Sequence, residues 1–407
     1  MSPAEFLMEL GRDLHEAGAP AHRLEEAMAS IAARLGLEAQ VFSTPTSLFA
    51  AVGSVGRQRT YMLRIDPGEV DLERLARVDR VVDRVAAGEL SPTAGVEALG
   101  RIPTPSERWG MGSTLLAFAV ASGGAATFFG GSAGDLLAAL VVGLLVGLLS
   151  ILGSRLRRAK RAIEAIAGAF AAAVALVVER LASPALVSAG HGWAAVDAFL
   201  VTLSGLIVLL PGLTLTLAMS ELANRQLVSG TGRVTHAATI LLSVGFGIAV
   251  GRTIGGFLPD AVEASEALPS WAVAAALVVS PSAFSVLFRA RPKDMAVITL
   301  AAVLGFLGAR AGSDWFGPAV GASVGALVIG VIANADSRLF DRPAAVASIP
   351  GLILLVPGSL GLRSFESLLG DDSVAGVRGV FTTVMVASSL AVGLLLANVV
   401  LPARREL

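Results

Sequence analysis

The chain has 407 residues, of which 54% are hydrophobic and only 15% are charged, well below the roughly 25% charged residues of soluble domains. The formal net charge is −1, so the chain lacks the overall positive charge that is typical of nucleic-acid-binding proteins. It has no cysteine, which excludes disulfides and thiolate metal sites. Charged residues concentrate in residues 1–108, and the remainder carries them between apolar runs. The sequence therefore predicts a membrane protein that begins with a soluble region, and no cleaved signal peptide is expected.

Residues 1–105 are predicted to form a small cytoplasmic α+β domain. Leucines at helical spacing indicate two helices at its start, separated by the turn at residues 18–20. Further along, a charged amphipathic helix is predicted to begin at Asp71 and end near Ala87, and Ser91 is predicted to cap another short helix. The β-prone runs between these helices are residues 39–43, 47–53 and 60–65.

Nothing in this domain forms a recognisable catalytic or metal centre. His15 and His22 lie seven positions apart, but a turn separates them and no third ligand is evident. Thr44-Pro-Thr46 has no base partner and reads as a turn between strands. A regulatory or assembly role is favoured over catalysis, and neither a metal nor a cofactor is expected.

Apolar runs long enough to cross a bilayer as helices recur from Trp109 onward. They predict an all-α membrane region of ten transmembrane helices in two five-helix repeats, residues 106–260 and 261–407. The predicted spans are 109–129, 134–152, 163–182, 194–212, 234–257, 270–288, 294–311, 316–334, 343–358 and 379–401.

The basic residues of the short loops predict the orientation. The loops after even-numbered spans, together with the C-terminal tail, hold 14 arginines and lysines, whereas the opposite loops hold 5. By the positive-inside rule both termini face the cytoplasm. The chain is thus expected in the inner or plasma membrane as a multi-pass protein.

Two segments 146 positions apart nearly repeat each other. Leu206–Gly212 and Leu352–Gly358 each end an apolar run at Pro-Gly and continue into polar sequence. Proline removes a backbone donor and glycine relaxes the backbone, so each helix is expected to break there. Because each half has an odd number of spans, the halves must insert with opposite orientation. Paired breaks in inverted repeats point to a transporter's midplane site, although ordinary proline kinks remain an alternative.

The predicted solute contacts are hydroxyl side chains and the residues of the two breaks. Helix starts beyond the breaks would favour a carboxylate through free backbone N–H groups and the helix dipole. The candidates are Thr202, Ser204, Pro211, Gly212, Thr214, Thr216, Ser280, Ser282, Ser348, Pro357, Gly358 and Ser359.

Ionisable or polar residues near span ends are candidates for proton coupling, because a group of this kind within a membrane is by default a candidate for function. Asp197 is preferred since it lies on the interrupted fourth span. The candidates are Asp197, Glu164, Glu179, Asn334 and Asp336.

Gly18-Ala-Pro-Ala-His-Arg-Leu-Glu-Glu26 and Glu38–Phe49, together with the Pro-Gly repeats, resemble the threonine/serine exporter family. The resemblance covers essentially the whole chain. It implies a ten-helix inner-membrane exporter with a cytoplasmic N-terminal domain, driven by the proton gradient or the membrane potential. Split relatives resemble dicarboxylate exporters, so the resemblance does not fix the substrate.

We therefore expect a secondary exporter of threonine, serine or a similar small solute, embedded in a lipid bilayer. It is not expected to be an enzyme, and a homo-oligomer remains open. No Walker sequence is present, which argues against ATP-driven transport. The alternatives are a succinate-like dicarboxylate exporter using Arg252, Arg363 or Arg378, a membrane-anchored hydrolase using the N-terminal domain, and a sensor or scaffold that transports nothing.

Overall fold

The computed structural model describes residues 3–54, 56–66, 68–103, 108–156, 162–188, 195–255, 267–369 and 372–403. Its N-terminal part is an α+β unit, and the remainder is helical. The elements of the N-terminal unit are α1 (Pro3–Glu16), α2 (Ala21–Arg34), β1 (Ala39–Thr44), β2 (Ser47–Val52), β3 (Arg59–Arg64), α3 (Leu72–Ala86) and α4 (Pro92–Gly100).

The N-terminal elements form where local sequence signals predict them. The three strands pair antiparallel in the order β1-β2-β3, and Thr44–Thr46 lies at the turn between the first two. The Asp71 carboxylate accepts the Arg74 N–H at 2.9 Å and caps α3. The Ser91 hydroxyl accepts the Ala94 N–H at 3.2 Å and caps α4. The predicted helix start at Asp71 and the predicted Ser91 cap are confirmed.

Twelve α-helices follow in the described residues, with a 3-10 turn at Pro292–Asp294 before the eighth of them. They are α5 (Met111–Phe128), α6 (Ala133–Arg155), α7 (Ile163–Ser188), α8 (Ala198–Gly205), α9 (Gly212–Ala223), α10 (Leu227–Gly255), α11 (Ser270–Leu287), α12 (Met295–Phe316), α13 (Pro318–Phe340), α14 (Ala345–Leu352), α15 (Gly358–Leu369) and α16 (Ser373–Val400).

Seven helical stretches among the described residues are long and apolar enough to cross a membrane. Large apolar side chains such as Leu137, Phe246 and Phe381 are exposed on the outside of the bundle, which suits a lipid-facing surface. The candidate stretches are Met111–Phe128, Ala133–Arg155, Leu227–Thr253, Ser270–Leu287, Pro292–Phe316, Pro318–Phe340 and Ser373–Val400.

The boundaries differ from the prediction around the two Pro-Gly motifs. The fourth and ninth predicted spans contain the short helices α8 and α14, and new helices restart at Gly212 and Gly358. The helices α10 and α16 begin at Leu227 and Ser373, earlier than predicted. Hydropathy misses these extensions because a helix can continue through polar residues that are in water or packed against protein.

The two halves of the bundle use the same packing scheme. The helix α7 packs on α10 as α13 packs on α16, and α8 packs on α6 as α14 packs on α12. The halves also interlock, because α9 contacts α16 while α15 contacts α10. The bundle is therefore built from two sets of six helical elements that share contacts, with one broken pair in each set.

The N-terminal unit is docked on one end of the bundle. The backbone N–H of Leu72 donates to the Phe288 carbonyl at 3.0 Å, and the Trp109 indole donates to the Ala290 carbonyl at 2.9 Å. Ala290, Ile298 and Ile349 are buried in the same hydrophobic core as the N-terminal helices. This end of the bundle is called the proximal end below, and the opposite end the distal end.

Candidate functional site

The two helix breaks meet inside the bundle. A Cβ atom added to Gly212 would lie 2.8 Å from the Gly358 nitrogen and 3.0 Å from its Cα. A Cβ atom added to Gly358 would lie 3.2 Å from the Gly212 nitrogen. Only glycine permits this approach. Two motifs 146 positions apart in sequence thus form one contact, from which α9 and α15 start.

The buried hydroxyl groups among the predicted solute contacts fall into two classes. Thr202 and Thr216 donate to carbonyls of their own helices, Ala198 at 2.6 Å and Gly212 at 3.1 Å, as membrane threonines often do. Ser204 and Ser280 differ, because within the described part of the chain their buried hydroxyls have no hydrogen-bond partner. A buried hydroxyl normally has a partner, so these two are the better candidates for solute contact.

The other predicted solute contacts range from buried to half-buried. Pro211 and Pro357 are buried beside the glycines, and Thr214 and Ser359 are half-buried in the first turns of α9 and α15. Ser282 is half-buried on α11. Ser348 lines a cavity at the proximal end.

Two of the predicted coupling acids, Asp197 and Glu179, accept hydrogen bonds at the start of α8. Asp197 is exposed and caps α8, accepting from the N–H groups of Phe199 at 2.8 Å and Leu200 at 3.1 Å. The Glu179 carboxylate accepts the Ala198 N–H at 3.0 Å. Glu164 is half-buried in the first turn of α7. These placements leave proton coupling as a prediction.

The two predicted residues on α13 lie at the proximal end. Asn334 Nδ2 donates to Asn398 Oδ1 at 2.8 Å and to the Leu401 carbonyl at 2.7 Å. Asp336 is buried and forms an ion pair with Arg342. Asn334 therefore joins α13 to the end of α16, and Asp336 lies apart from Asp197 in a separate charged group.

A cluster of charged and aromatic side chains lies at the distal end. Arg252 lies in the last turn of α10, about 28 Å along that helix from Arg233 at the proximal end. Arg252 forms an ion pair with Glu366 on α15. The guanidinium carbons of Arg252 and Arg363 lie 5.7 Å and 5.9 Å from the centroid of the Phe199 ring. We call Phe199, Arg252, Arg363 and Glu366 the distal cluster.

At the proximal end a bundle carboxylate holds the N-terminal unit. Glu221 is fully buried, accepts the Ala21 N–H at the start of α2 at 2.9 Å, and is paired with Arg233 at 3.0 Å. Nearby, Gln226 Nε2 donates to a Glu25 carboxylate oxygen at 2.6 Å. Burial raises the pKa of Glu25 above its usual value. These contacts fix α2 across the mouth of the bundle.

Between α2 and the bundle lies a cavity of about 150 Å³. His22 lines it, and burial, reinforced by Arg23 and Arg233, lowers the pKa of this histidine to about 4. The imidazole is therefore neutral at physiological pH. We call this space the interdomain cavity; its bundle walls come from α9, α13, α14 and α16.

Comparison with known proteins gives consistent matches across the chain. A model of the threonine/serine exporter family matches residues 5–255, and a second threonine/serine exporter model matches residues 273–400. The threonine/serine exporter of Corynebacterium glutamicum is 24% identical over 378 residues, covering 91% of this chain and 72% of the relative.

Fungal relatives extend well beyond the matched region. Pheromone-regulated membrane protein 10 of Candida albicans (strain SC5314) is 24% identical over 91% of this chain but only 34% of the relative. Its Saccharomyces cerevisiae counterpart is 25% identical over 89% of this chain and 47% of the relative. The chain thus spans about a third to a half of these fungal proteins. No solved structure shows a significant match. The chain is a membrane protein that belongs to the threonine/serine exporter family.

Proposed function

We propose that the protein is a secondary exporter of small hydrophilic amino acids, threonine or serine, across the cell's inner or plasma membrane. The contact between Gly212 and Gly358 carries the proposal. Two interrupted helices, one from each half, meet at one place inside the bundle, and such paired breaks surround the solute in secondary transporters.

The proposed architecture has ten membrane passes in two inverted halves, residues 106–260 and 261–407, after a cytoplasmic domain of residues 1–105. The seven long apolar stretches would supply seven of these passes. The helix α7 would supply another, and the pairs α8–α9 and α14–α15 would supply two interrupted ones. The excess of basic residues in the sequence of the loops after even-numbered spans supports a cytoplasmic location for both termini.

A small zwitterion suits the chemistry around the breaks. The first turns of α9 and α15 start at the contact, and helix starts offer unpaired N–H groups and a positive dipole end to a carboxylate. The buried hydroxyls of Ser204 and Ser280 can bond a solute hydroxyl or ammonium group. A dicarboxylate would need cationic contacts, but Arg252 is paired with Glu366, and Arg363 lies against aromatic rings.

The solute would move across the membrane if the two ends of the bundle opened and closed in turn. The distal cluster links α10 of the first half to α15 of the second, so its ion pair would have to separate before release outside. The interdomain cavity lies at the opposite end. We infer that this conformation is closed outward, and that Asp197, Glu179 or Glu164 couples opening to a proton.

The function is tested by efflux from cells loaded with threonine-containing dipeptides, with serine and succinate followed in parallel. Expression of the chain is expected to accelerate threonine or serine efflux, and dissipation of the proton gradient to abolish the gain. Unchanged amino-acid efflux alongside faster succinate efflux would replace this proposal with dicarboxylate export. No change for any of the three solutes would refute both.

A further inference from the structure

The interdomain cavity combines polar groups from both parts of the protein. Asn334, Asn398, Ser220 and Ser348 line it from the bundle, and His22 lines it from α2. Asn334 uses its two N–H groups on Asn398 Oδ1 and the Leu401 carbonyl, so Asn334 Oδ1 and Asn398 Nδ2 are the amide groups with further hydrogen-bonding capacity. Within the described chain, the buried His22 Nδ1 atom has no hydrogen-bond partner. A buried polar atom in this state calls for a ligand or water.

The charges at the cavity are balanced. Arg23 and Glu26 both line it and lie 3.9 Å apart in a loose ion pair. A neutral zwitterion could place its carboxylate toward the guanidinium and its ammonium toward the carboxylate. The low pKa of His22 keeps its ring uncharged at neutral pH. The charges of Arg23 and Glu26 balance each other, so the lining favours neither an anion nor a cation.

The internal repeat argues that the cavity is more than a packing defect. With the 146-residue offset, Ala345, Ser220 and Asn398 correspond to Phe199, Glu366 and Arg252. Ala345, Ser220 and Asn398 line the interdomain cavity. Phe199, Glu366 and Arg252 instead contact one another in the distal cluster. Leu217, which also lines the cavity, corresponds to Arg363 in the same way. Equivalent positions are thus open at one end of the bundle and closed at the other.

We propose that the interdomain cavity is the entry site for the amino acid, with His22 of the N-terminal domain contributing directly to its recognition. This inference rests on the proposed export function and extends it. It makes the N-terminal domain part of the solute site, and it names a small, neutral, hydroxylated amino acid as the ligand class. The site lies between the cytoplasmic domain and the bundle, before the Gly212–Gly358 contact.

The inference is tested with the full chain in proteoliposomes, using radiolabelled threonine for both equilibrium binding and transport. The variant Ala345→Phe places a ring in the cavity, as Phe199 does at the other end, and is expected to weaken binding and raise KM at least tenfold. His22→Leu is expected to raise KM about tenfold, whereas His22→Gln, which keeps a donor and an acceptor, should stay within about threefold. Leu396→Phe, on the exposed face of α16, is the matched control.

The outcomes separate the two proposals. If the wild-type protein binds and transports threonine, while His22→Leu and a correctly folded Ala345→Phe match it in KM and affinity, the entry site is refuted and the exporter stands. If the wild-type protein moves neither threonine nor serine, the exporter proposal itself fails. Equal weakening by His22→Leu and His22→Gln, without loss of thermal stability, would also count against direct recognition by the imidazole.

Discussion

Gly212 and Gly358 leave no room for a side chain at the point where the two halves touch. Gly212→Ala would put its methyl group 2.8 Å from the backbone nitrogen of Gly358, so the backbone must move. We expect a loss of about 1–3 kcal/mol in stability and at least a tenfold fall in transport. Gly358→Ala meets its nearest backbone atom at 3.2 Å and should be milder. Thermal unfolding and efflux measure both effects.

Gly112→Ala provides the control for this pair. Gly112 lies in the first turn of α5, where an added Cβ meets nothing within 4 Å. Gly112→Ala should leave efflux unchanged and should keep or slightly raise stability, because alanine favours a helix over glycine. Wild-type efflux from Gly212→Ala would mean that the contact between the breaks is not needed for transport.

His22 predicts a pH dependence of stability with a definite sign. Its pKa is about 4 in the folded protein against an ordinary value of 6.5, because burial disfavours the imidazolium. Below pH 6.5 the unfolded chain takes up a proton that the folded chain does not, so stability falls as pH drops from 6.5 to 4 and is unaffected above 6.5. The loss is limited to about 3 kcal/mol.

The comparison of wild type with His22→Gln isolates this contribution. Glu25 contributes with the opposite sign, because its pKa is raised, but it is present in both proteins. The gap between their unfolding midpoints should therefore change between pH 4 and 6.5 and stay constant above. A gap that is constant over the whole range would show that His22 titrates normally.

The variant Asp197→Asn separates the charge of this residue from its role as a helix cap. The carboxylate caps α8 through two backbone N–H groups, and asparagine is about as good an N-cap. Asp197→Asn should thus keep α8 and thermal stability intact. If Asp197 couples transport to protons, gradient-driven efflux is lost in vesicles while exchange without a gradient persists. Unchanged dependence on the proton gradient would remove Asp197 from the coupling role.

Among the elements, α10 and α15 are joined at the distal end by the ion pair of Arg252 and Glu366. Arg252→Glu would bring two carboxylates together and should open this end. The chain has no cysteine, so Ser359→Cys reports access to the second break without background. We expect labelling of Ser359→Cys by an external, impermeant thiol reagent to rise several-fold in the Arg252→Glu background.

Charge exchange provides the decisive comparison for this ion pair. Combining Arg252→Glu with Glu366→Arg restores opposite charges and should return labelling toward the original rate. Arg378→Ala removes another arginine, exposed near the start of α16, and should have no effect. Identical labelling in all four backgrounds would show that the distal cluster does not control access.

Across the whole molecule, the sequence predicted features whose causes are local. The Pro-Gly pairs at residues 211–212 and 357–358 lie where α9 and α15 start, so the two breaks could be located from the sequence, although Pro281 and Pro350 lie inside α11 and α14. Asp71 and Ser91 could be placed at the starts of two helices. Partners distant in sequence could not be predicted, because nothing beside Glu221 indicates that it holds the start of α2. The interdomain cavity was missed for the same reason. The 146-residue offset was the available signal, since it pairs Ala345 with Phe199.

The orientation of the whole protein in the membrane can be tested by labelling its two ends separately. Met62 is exposed on β3 of the N-terminal domain, and Val374 is exposed at the start of α16, at the distal end. With a cytoplasmic N-terminal domain, an impermeant maleimide should label Val374→Cys in intact cells but Met62→Cys only after permeabilisation. The basic residues of the proximal loops are the physical reason. The reverse pattern would place the N-terminal domain outside, and the interdomain cavity would then be an exit rather than an entry.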